Sequence, residues 1–357
     1  MAETMSLWLD AIVPPPGSRA AAAAAEPESI EITFLDEKGE KVAEPITLAL
    51  PEPIAVESWS EDGPGWSEVR PPLSLDLDGA GHAVAVRAAA GGTARDFPLA
   101  AVRAGRARRP DATRHWGASD GWTLIVVSEM FGDKDRFFDA CDQLFQFITR
   151  EAPFNEAGVQ SRFGMTGLFW RSGPGGLFNT AETVVRRILG DGRLVRDFVK
   201  KARVRGHKVL VLIDSPKRGG AGGVGKEPAW STITGAQGEE WQAVALHELG
   251  HSLGLADEYE ATGVGDEPAT LEPNVSRARN AAQTGWAPLC SPGLSHDPTC
   301  AAGAPLSVPA GTVGTFEGAR YRQFGRYRPA ANCRMRSTAA PFCPVCCAHI
   351  RATIAAA

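Results

Sequence analysis

The sequence predicts an α/β domain, built on a mixed sheet with helical crossovers and one buried helix, preceded by a small all-β, sandwich-like domain. Three observations carry this. Residues 29–102 hold short alternating runs punctuated by Pro and Gly, the pattern of packed β layers. From Trp122 to Ile213, short and nearly continuous apolar runs alternate with amphipathic stretches, as central strands and crossover helices do. Beyond them, Trp241 to Leu253 is apolar enough to be buried yet carries two His and a Glu, groups that need partners in an interior. A length of 357 residues accommodates two domains.

Residues 1–28 contain Pro14-Pro15-Pro16-Gly17 and an Ala run, and read as a flexible arm. Ser29 to Leu35 places Ile30, Ile32 and Phe34 on one side, Asp36 to Gly39 is a turn, and Val42 to Leu50 returns. That is a β-hairpin. Further strands are expected at Leu73–Leu77, Ala83–Ala88 and Thr93–Leu99. Residues 103–118 open with four Arg before Pro110 and lack apolar periodicity, so they read as a basic linker. Its stretch 103–109 is also a candidate cleavage point for an activating protease.

The catalytic domain is expected over 119–357. Thr123 to Ser128 is a central strand. Asp133 to Arg150 spaces Phe137, Phe138, Cys141, Leu144, Phe145 and Ile148 as a helix does. Gln160 to Phe169 is extended, Thr180–Leu189 and Leu194–Ala202 are helices, and His207 to Ile213 is a second central strand. Lys217 to Gly225 carries five Gly. It reads as a flexible surface loop, without the Lys-Ser/Thr ending of a phosphate-binding loop. Ala229 to Thr234 is expected as the edge strand, which would offer backbone groups to an extended peptide.

The chemistry concentrates in His247-Glu248-Leu249-Gly250-His251. On a helix the two imidazoles stand one turn apart on one face and reach one metal ion. Glu248, rotated about 100° from His247, borders the site as a candidate general base. Gly254 can adopt a left-handed conformation, end the helix and turn the chain back. The turn then brings Asp257 or Glu258 round as a third ligand. Three protein ligands leave the fourth position open, the arrangement of a catalytic zinc. Glu272, 21 residues after His251, is a rival third ligand. Met335, about 80 residues downstream, is a candidate apolar floor beneath the ligands.

The chain has seven Cys. Cys141 reads as a buried thiol. Cys290, Cys300, Cys333, Cys343, Cys346 and Cys347 all follow the His-Glu motif, which points to local disulfides or a second metal site. The expectation is a disulfide or free structural thiols among Cys333, Cys343 and Cys346. The alternative is a structural zinc on Cys333, Cys343, Cys346 or Cys347, and His349. His296 reads as solvated. A net charge of −5 with 22% charged residues argues against nucleic acid as the main partner. No apolar run reaches ~18 residues, so no membrane span is expected. Met1 to Pro16 lacks a basic leading region and does not read as a signal peptide. The expected location is the cytoplasm, or outside by a non-classical route, or extracellular if a leader has been removed.

The segments H-E-L-G-H-S at 247–252, L-A-D-E-Y at 255–259, N-C-R-M-R at 332–336 and F-C-P-V-C at 342–346 resemble the bacterial IgA metallopeptidase family of metzincin-like zinc peptidases. The strand at 123–129 and the Gly-rich loop before the motif helix fit it too. The resemblance implies a metzincin-like zincin fold, with a mixed sheet plus a zinc helix, Met335 in a Met turn, and a β-rich N-terminal domain. It implies one catalytic Zn2+ on His247, His251 and Asp257, with Glu258 the alternative third ligand. The implied activity is that of a zinc-dependent endopeptidase, hydrolysing protein substrates through a metal-activated water with Glu248 as base. Some related enzymes carry a Tyr two residues after the Met; here Ser337 stands there. Two other readings are a peptide- or glycan-binding module on a peptidase scaffold, and another zinc hydrolase such as a cell-wall amidase.

Overall fold

The molecule is organised around strand β10 (Trp122–Glu129), whose eight residues are all buried. A strand buried on both faces needs apolar side chains on both. Leu124 and Val126 enter one core, and Ile125 and Val127 enter the other. The structure is a computed structural model. It describes residues 28–50, 83, 85–90, 92–98, 109–172, 190, 192–216, 218–234, 240–260, 270–293 and 308–357, together with six short strands: Thr4–Leu7, Ile54–Ser60, Gly63–Val69, Leu73–Asp76, Ala181–Glu182 and Ile188–Leu189.

N-terminal to 99, the described residues are strands, turns and connections. Strands β1 (Thr4–Leu7), β2 (Ser29–Leu35), β3 (Ile46–Ala49), β4 (Ile54–Ser60), β5 (Gly63–Val69), β6 (Leu73–Asp76), β7 (Ala85–Ala90) and β8 (Thr93–Pro98) form three separate sheets. One is four-stranded and antiparallel, in the order β3-β2-β7-β8. In β2 the expected face, Ile30, Ile32 and Phe34, is buried. Strands β4 and β5 pair as a hairpin that has no counterpart among the expected strands. The arm expected over 1–28 is corrected in part: β1 pairs with β6. Three sheets establish β structure here but not a sandwich.

Residues 103–108 of the expected linker, with most of the proposed cleavage point, lie outside the described residues. Its later part is corrected, because Ala112–Gly117 is a strand, β9. Trp116 anchors it by packing on Phe138 and donating to Asp142. The main sheet adds β11 (Phe163–Phe169), β14 (Lys208–Ile213), β15 (Gly220–Ala221) and β16 (Ala229–Thr232), in the order β15-β16-β14-β10-β11-β9. Strands β16, β14, β10 and β11 run parallel, and both edge strands are antiparallel. The expected edge strand at 229–234 is therefore corrected: β16 is internal, and Gly220–Ala221 of the glycine-rich loop supplies the edge.

Helix α1 (Lys134–Ile148) starts at Asp133, whose carboxylate accepts from the Arg136 backbone N–H at 2.8 Å. This is an N-cap that satisfies one end group. It is followed by the single turn α2 (Ala157–Gln160), which takes the first residue of the strand expected from Gln160. Helix α3 (Gly192–Ala202) covers one face of the sheet through Val195 and Phe198. Within Thr180–Leu189, expected as a helix, the described segments Ala181–Glu182 (β12) and Ile188–Leu189 (β13) pair as antiparallel strands instead. The other face of the sheet packs against α1, α4 (Trp241–Ser252) and α5 (Pro344–Ala355) in one apolar core. A hairpin of β17 (Phe316–Ala319) and β18 (Arg322–Arg328) closes the C-terminal part. Among the described residues, no helix is long and apolar enough to cross a membrane.

Candidate metal centre

Helix α4 is buried over Ala243–Ser252, on every side, as a helix without a polar face must be. It ends at Gly254, whose φ of +95° is open to glycine. The Gly254 N–H donates to the His251 carbonyl at 2.8 Å, and the Leu255 N–H donates to the Gly250 carbonyl at 3.0 Å. This double closure is a Schellman turn. It aims the Leu255 carbonyl back at the helix, where it lies 2.9 Å from His251 Nδ1. On the other side, the Arg334 carbonyl lies 2.8 Å from His247 Nδ1. A carbonyl only accepts, so each Nδ1 carries the proton and each Nε2 presents a lone pair.

Both Nε2 atoms face one oxygen. Asp257 Oδ1 is 3.3 Å from His247 Nε2 and 3.3 Å from His251 Nε2. It is buried and has no hydrogen-bond partner. Three converging lone pairs in an interior demand a cation. Tetrahedral zinc with ~2.0–2.1 Å bonds sets its N and O ligands about 3.3 Å apart, so these residues fit the ion. The electrostatics point the same way. Burial opposes a charged His251, but the adjacent Asp257 carboxylate, with Glu248 and the Leu255 carbonyl, pushes its pKa up to about 10. His247 is raised too, against its burial, chiefly by Asp257. Asp257, despite burial, is held far below the usual carboxylate range by the two imidazoles.

Glu248 places a carboxylate oxygen within 4.8 Å of a ring nitrogen of each His. The glycine loop presses on it: a Cβ at Gly220 would lie 2.5 Å from Glu248 Oε1, and one at Gly222 would lie 2.8 Å from Oε2. The expected surface loop is exposed at Gly222, Val224 and Gly225, yet its Gly220 and Gly222 backbone fits closely against Glu248, and glycine is what lets it approach. Met335 is fully buried beneath the helix, with its sulfur where a Cβ on Gly250 would stand, 2.6 Å away. Its carbonyl accepts from the Glu258 N–H at 2.7 Å.

The two carboxylates left open by the sequence separate cleanly. Asp257 meets the imidazoles. Glu258 points away, into a second buried cluster with Cys333, Cys343 and Cys346. Glu272 is also away from the centre, paired with Arg320 at 3.0 Å. Arg336 bonds Glu260 at 3.1 Å. All six described cysteines carry free thiols, so no disulfide forms among them. Cys347 turns to the Phe342 carbonyl and His349 to the Leu253 carbonyl, outside the cluster. Cys300 and His296 lie outside the described residues.

Some positioning groups were not read from the sequence. The Tyr321 hydroxyl donates to Asp257 Oδ2, which leaves Oδ1 for the imidazole side. The Tyr321 ring packs edge-on to Tyr259 at 5.4 Å. Asn274 clamps the turn after the helix, accepting from the Ala256 N–H at 2.9 Å and donating to its carbonyl at 2.8 Å. The one sequence signal was rarity: the chain has three Tyr, and all fall between 259 and 327.

Two imidazoles and a carboxylate aimed at one point, with a second carboxylate beside them, define the class as a metal-dependent hydrolase. The chain belongs to the IgA Peptidase M64 family, whose model matches residues 126–302 and 305–354. It is a zinc-dependent peptidase, acting on protein or peptide substrates. Among solved structures it is similar to archaemetzincin from Methanopyrus kandleri, with 16% sequence identity, a TM-score of 0.26, and coverage of 39% of this chain and 77% of that one. No curated protein matches the chain.

Proposed function

We propose that the chain is an endopeptidase of metzincin-like fold. In this reading His247, His251 and Asp257 hold one catalytic zinc, and Glu248 is the general base. The observation that carries it is the convergence of two bare Nε2 atoms on the unpartnered Asp257 oxygen at 3.3 Å. Zinc held there supplies a Lewis acid and acidifies water. Glu248 takes a proton from the attacking water and delivers it to the leaving amine nitrogen. The Arg334 and Leu255 carbonyls fix both imidazole tautomers, and Tyr321 fixes the Asp257 carboxylate. Such outer partners orient ligands. Gly220 and Gly222 lie against one side of Glu248 and limit the positions its carboxylate can take. Strand β15 is the sheet edge beside Glu248, suited to pairing with an extended peptide. Residues 29–102 are proposed as a sandwich-like domain preceding the catalytic domain at 119–357. Family membership favours neither the binding-module nor the amidase reading.

The test is Glu248→Gln, assayed for zinc content and for cleavage of a mixed peptide library. Full zinc with cleavage reduced by about 10²-fold or more is expected. Undiminished cleavage would refute Glu248 as base.

A further inference from the structure

Asp257 and Glu258 are neighbours in sequence but serve different centres. Glu258 is fully buried. Its Oε1 accepts from Asn274 at 2.9 Å and lies 3.3 Å from Cys346 Sγ. Its Oε2 is buried with no hydrogen-bond partner. Cys333 Sγ lies 3.7 Å from Cys346 Sγ. Ligand atoms of Glu258, Cys333, Cys343 and Cys346 all lie within 4.8 Å of one another. A buried carboxyl group among three cysteine sulfurs, with one oxygen unanswered, is costly in an interior.

We propose that Glu258, Cys333, Cys343 and Cys346 bind a second, structural zinc ion. The site stands independently of the reading of His247 and its partners. The distances decide between zinc and a disulfide. Tetrahedral zinc with ~2.3 Å bonds to sulfur and ~2.0 Å to oxygen places sulfurs about 3.8 Å apart, and sulfur and oxygen about 3.5 Å apart. The observed 3.7 and 3.3 Å match. A disulfide needs sulfurs at about 2.05 Å, and pairing two of three thiols would strand the third beside Glu258. Thiolate ligands select zinc over hard cations. The ion takes the four groups as thiolates and carboxylate, and the protons they carry in its absence go to solvent.

Local structure is already shaped for thiolates. Cys343 caps α5, and its sulfur accepts from the Cys346 N–H at 3.5 Å. The Cys343 N–H in turn donates to Cys333 Sγ at 3.3 Å. The C-x-x-C spacing sits at a helix N-terminus, where the backbone dipole favours negative charge. The ion would tie together three segments: the turn after α4 through Glu258, the Met turn through Cys333, and α5 through Cys343 and Cys346. Two of the ligands adjoin parts of the first centre. Glu258 follows Asp257, and Cys333 precedes Arg334, whose carbonyl holds His247. The second ion thus sets the separation between the floor and the helix above it.

The experiment is zinc analysis of the purified full chain, with cobalt substitution as a spectroscopic reporter. Wild type is expected to hold two zinc ions. The double variant His247→Ala/His251→Ala should keep one, and its cobalt form should show thiolate-to-cobalt charge-transfer absorption in the near ultraviolet. Cys346→Ser and Glu258→Gln should lose or weaken that absorption. If the His double variant binds no zinc and no cobalt, or if peptide mapping finds a disulfide among Cys333, Cys343 and Cys346, the proposal fails. That reading does not depend on how well a Cys variant folds. A single wild-type ion that the His double variant loses would sink the second site and leave the first intact. A single ion that it keeps would do the reverse.

Discussion

Gly250→Ala tests how the Met turn supports the helix. A methyl there would stand 2.6 Å from Met335 Sδ, and 3.4 Å from both Met335 Cε and Phe342 Cε1. Ordinary contact is about 3.5–4.0 Å, so Met335 must yield by about 1 Å. It has nowhere to go, because it is fully buried. Neighbouring carbonyls are committed too, Arg334 to His247 at 2.8 Å and Met335 to the Glu258 N–H at 2.7 Å. Overpacking of this kind costs about 1–3 kcal/mol, and in a domain of this size lowers Tm by about 2–4 °C per kcal/mol. Disturbing the His247 carbonyl partner should also weaken zinc binding by about 10–100-fold. The assay is thermal unfolding, with zinc affinity measured by chelator competition, in four proteins: wild type, Gly250→Ala, Met335→Ala and the double variant. The penalty of Gly250→Ala should shrink by at least about 0.5 kcal/mol when Met335 is truncated, since contacting residues couple. An equal penalty in both backgrounds would refute the packing argument.

Tyr321→Phe should leave the buried Asp257 Oδ2 without its donor. A loss of about 1–3 kcal/mol in stability and a weaker zinc site, read by the same chelator competition, are expected. Gly220→Ala would drive a methyl to 2.5 Å from Glu248 Oε1 and 2.9 Å from Val244 Cγ1. It should cut peptide cleavage while leaving zinc content unchanged; unaltered cleavage would mean that the loop does not bear on Glu248. The metal-free protein should show a distinctive pH dependence. The raised pKa of His251, about 10, means that its contribution to stability is full below about 6.5 and is lost as pH rises towards 10. The zinc-loaded protein has the metal in place of that proton, so its Tm advantage over the metal-free form should widen across this window. A constant gap in paired melting curves would contradict the site's demand for positive charge.

What the sequence revealed and what it concealed divide by range. The motif helix was legible because 3.6-residue spacing and an apolar flank are local features, and Gly254 marks its own turn. Strands β10 and β14 were legible as continuous apolar runs. The third carboxylate was not, since Asp257 and Glu258 are equivalent neighbours until Met335, Asn274 and Cys346 settle where each side chain goes. The glycine loop looked flexible because its reason for glycine, the side chain of Glu248, lies about 25 residues further on. Tyr321 and the Met turn act across 64 and 87 residues of chain, beyond any periodic pattern. Strand β9 was hidden for a similar reason: its sequence is polar, and it is held by partners on β11 and α1.

The most direct test is anomalous diffraction at the zinc absorption edge from crystals of the zinc-loaded protein. A peak bounded by His247 Nε2, His251 Nε2 and Asp257 Oδ1 is expected, with Glu248 beside it but not bonded to it. No peak there, or a peak whose third ligand is Glu258 or Glu272, would contradict the assignment.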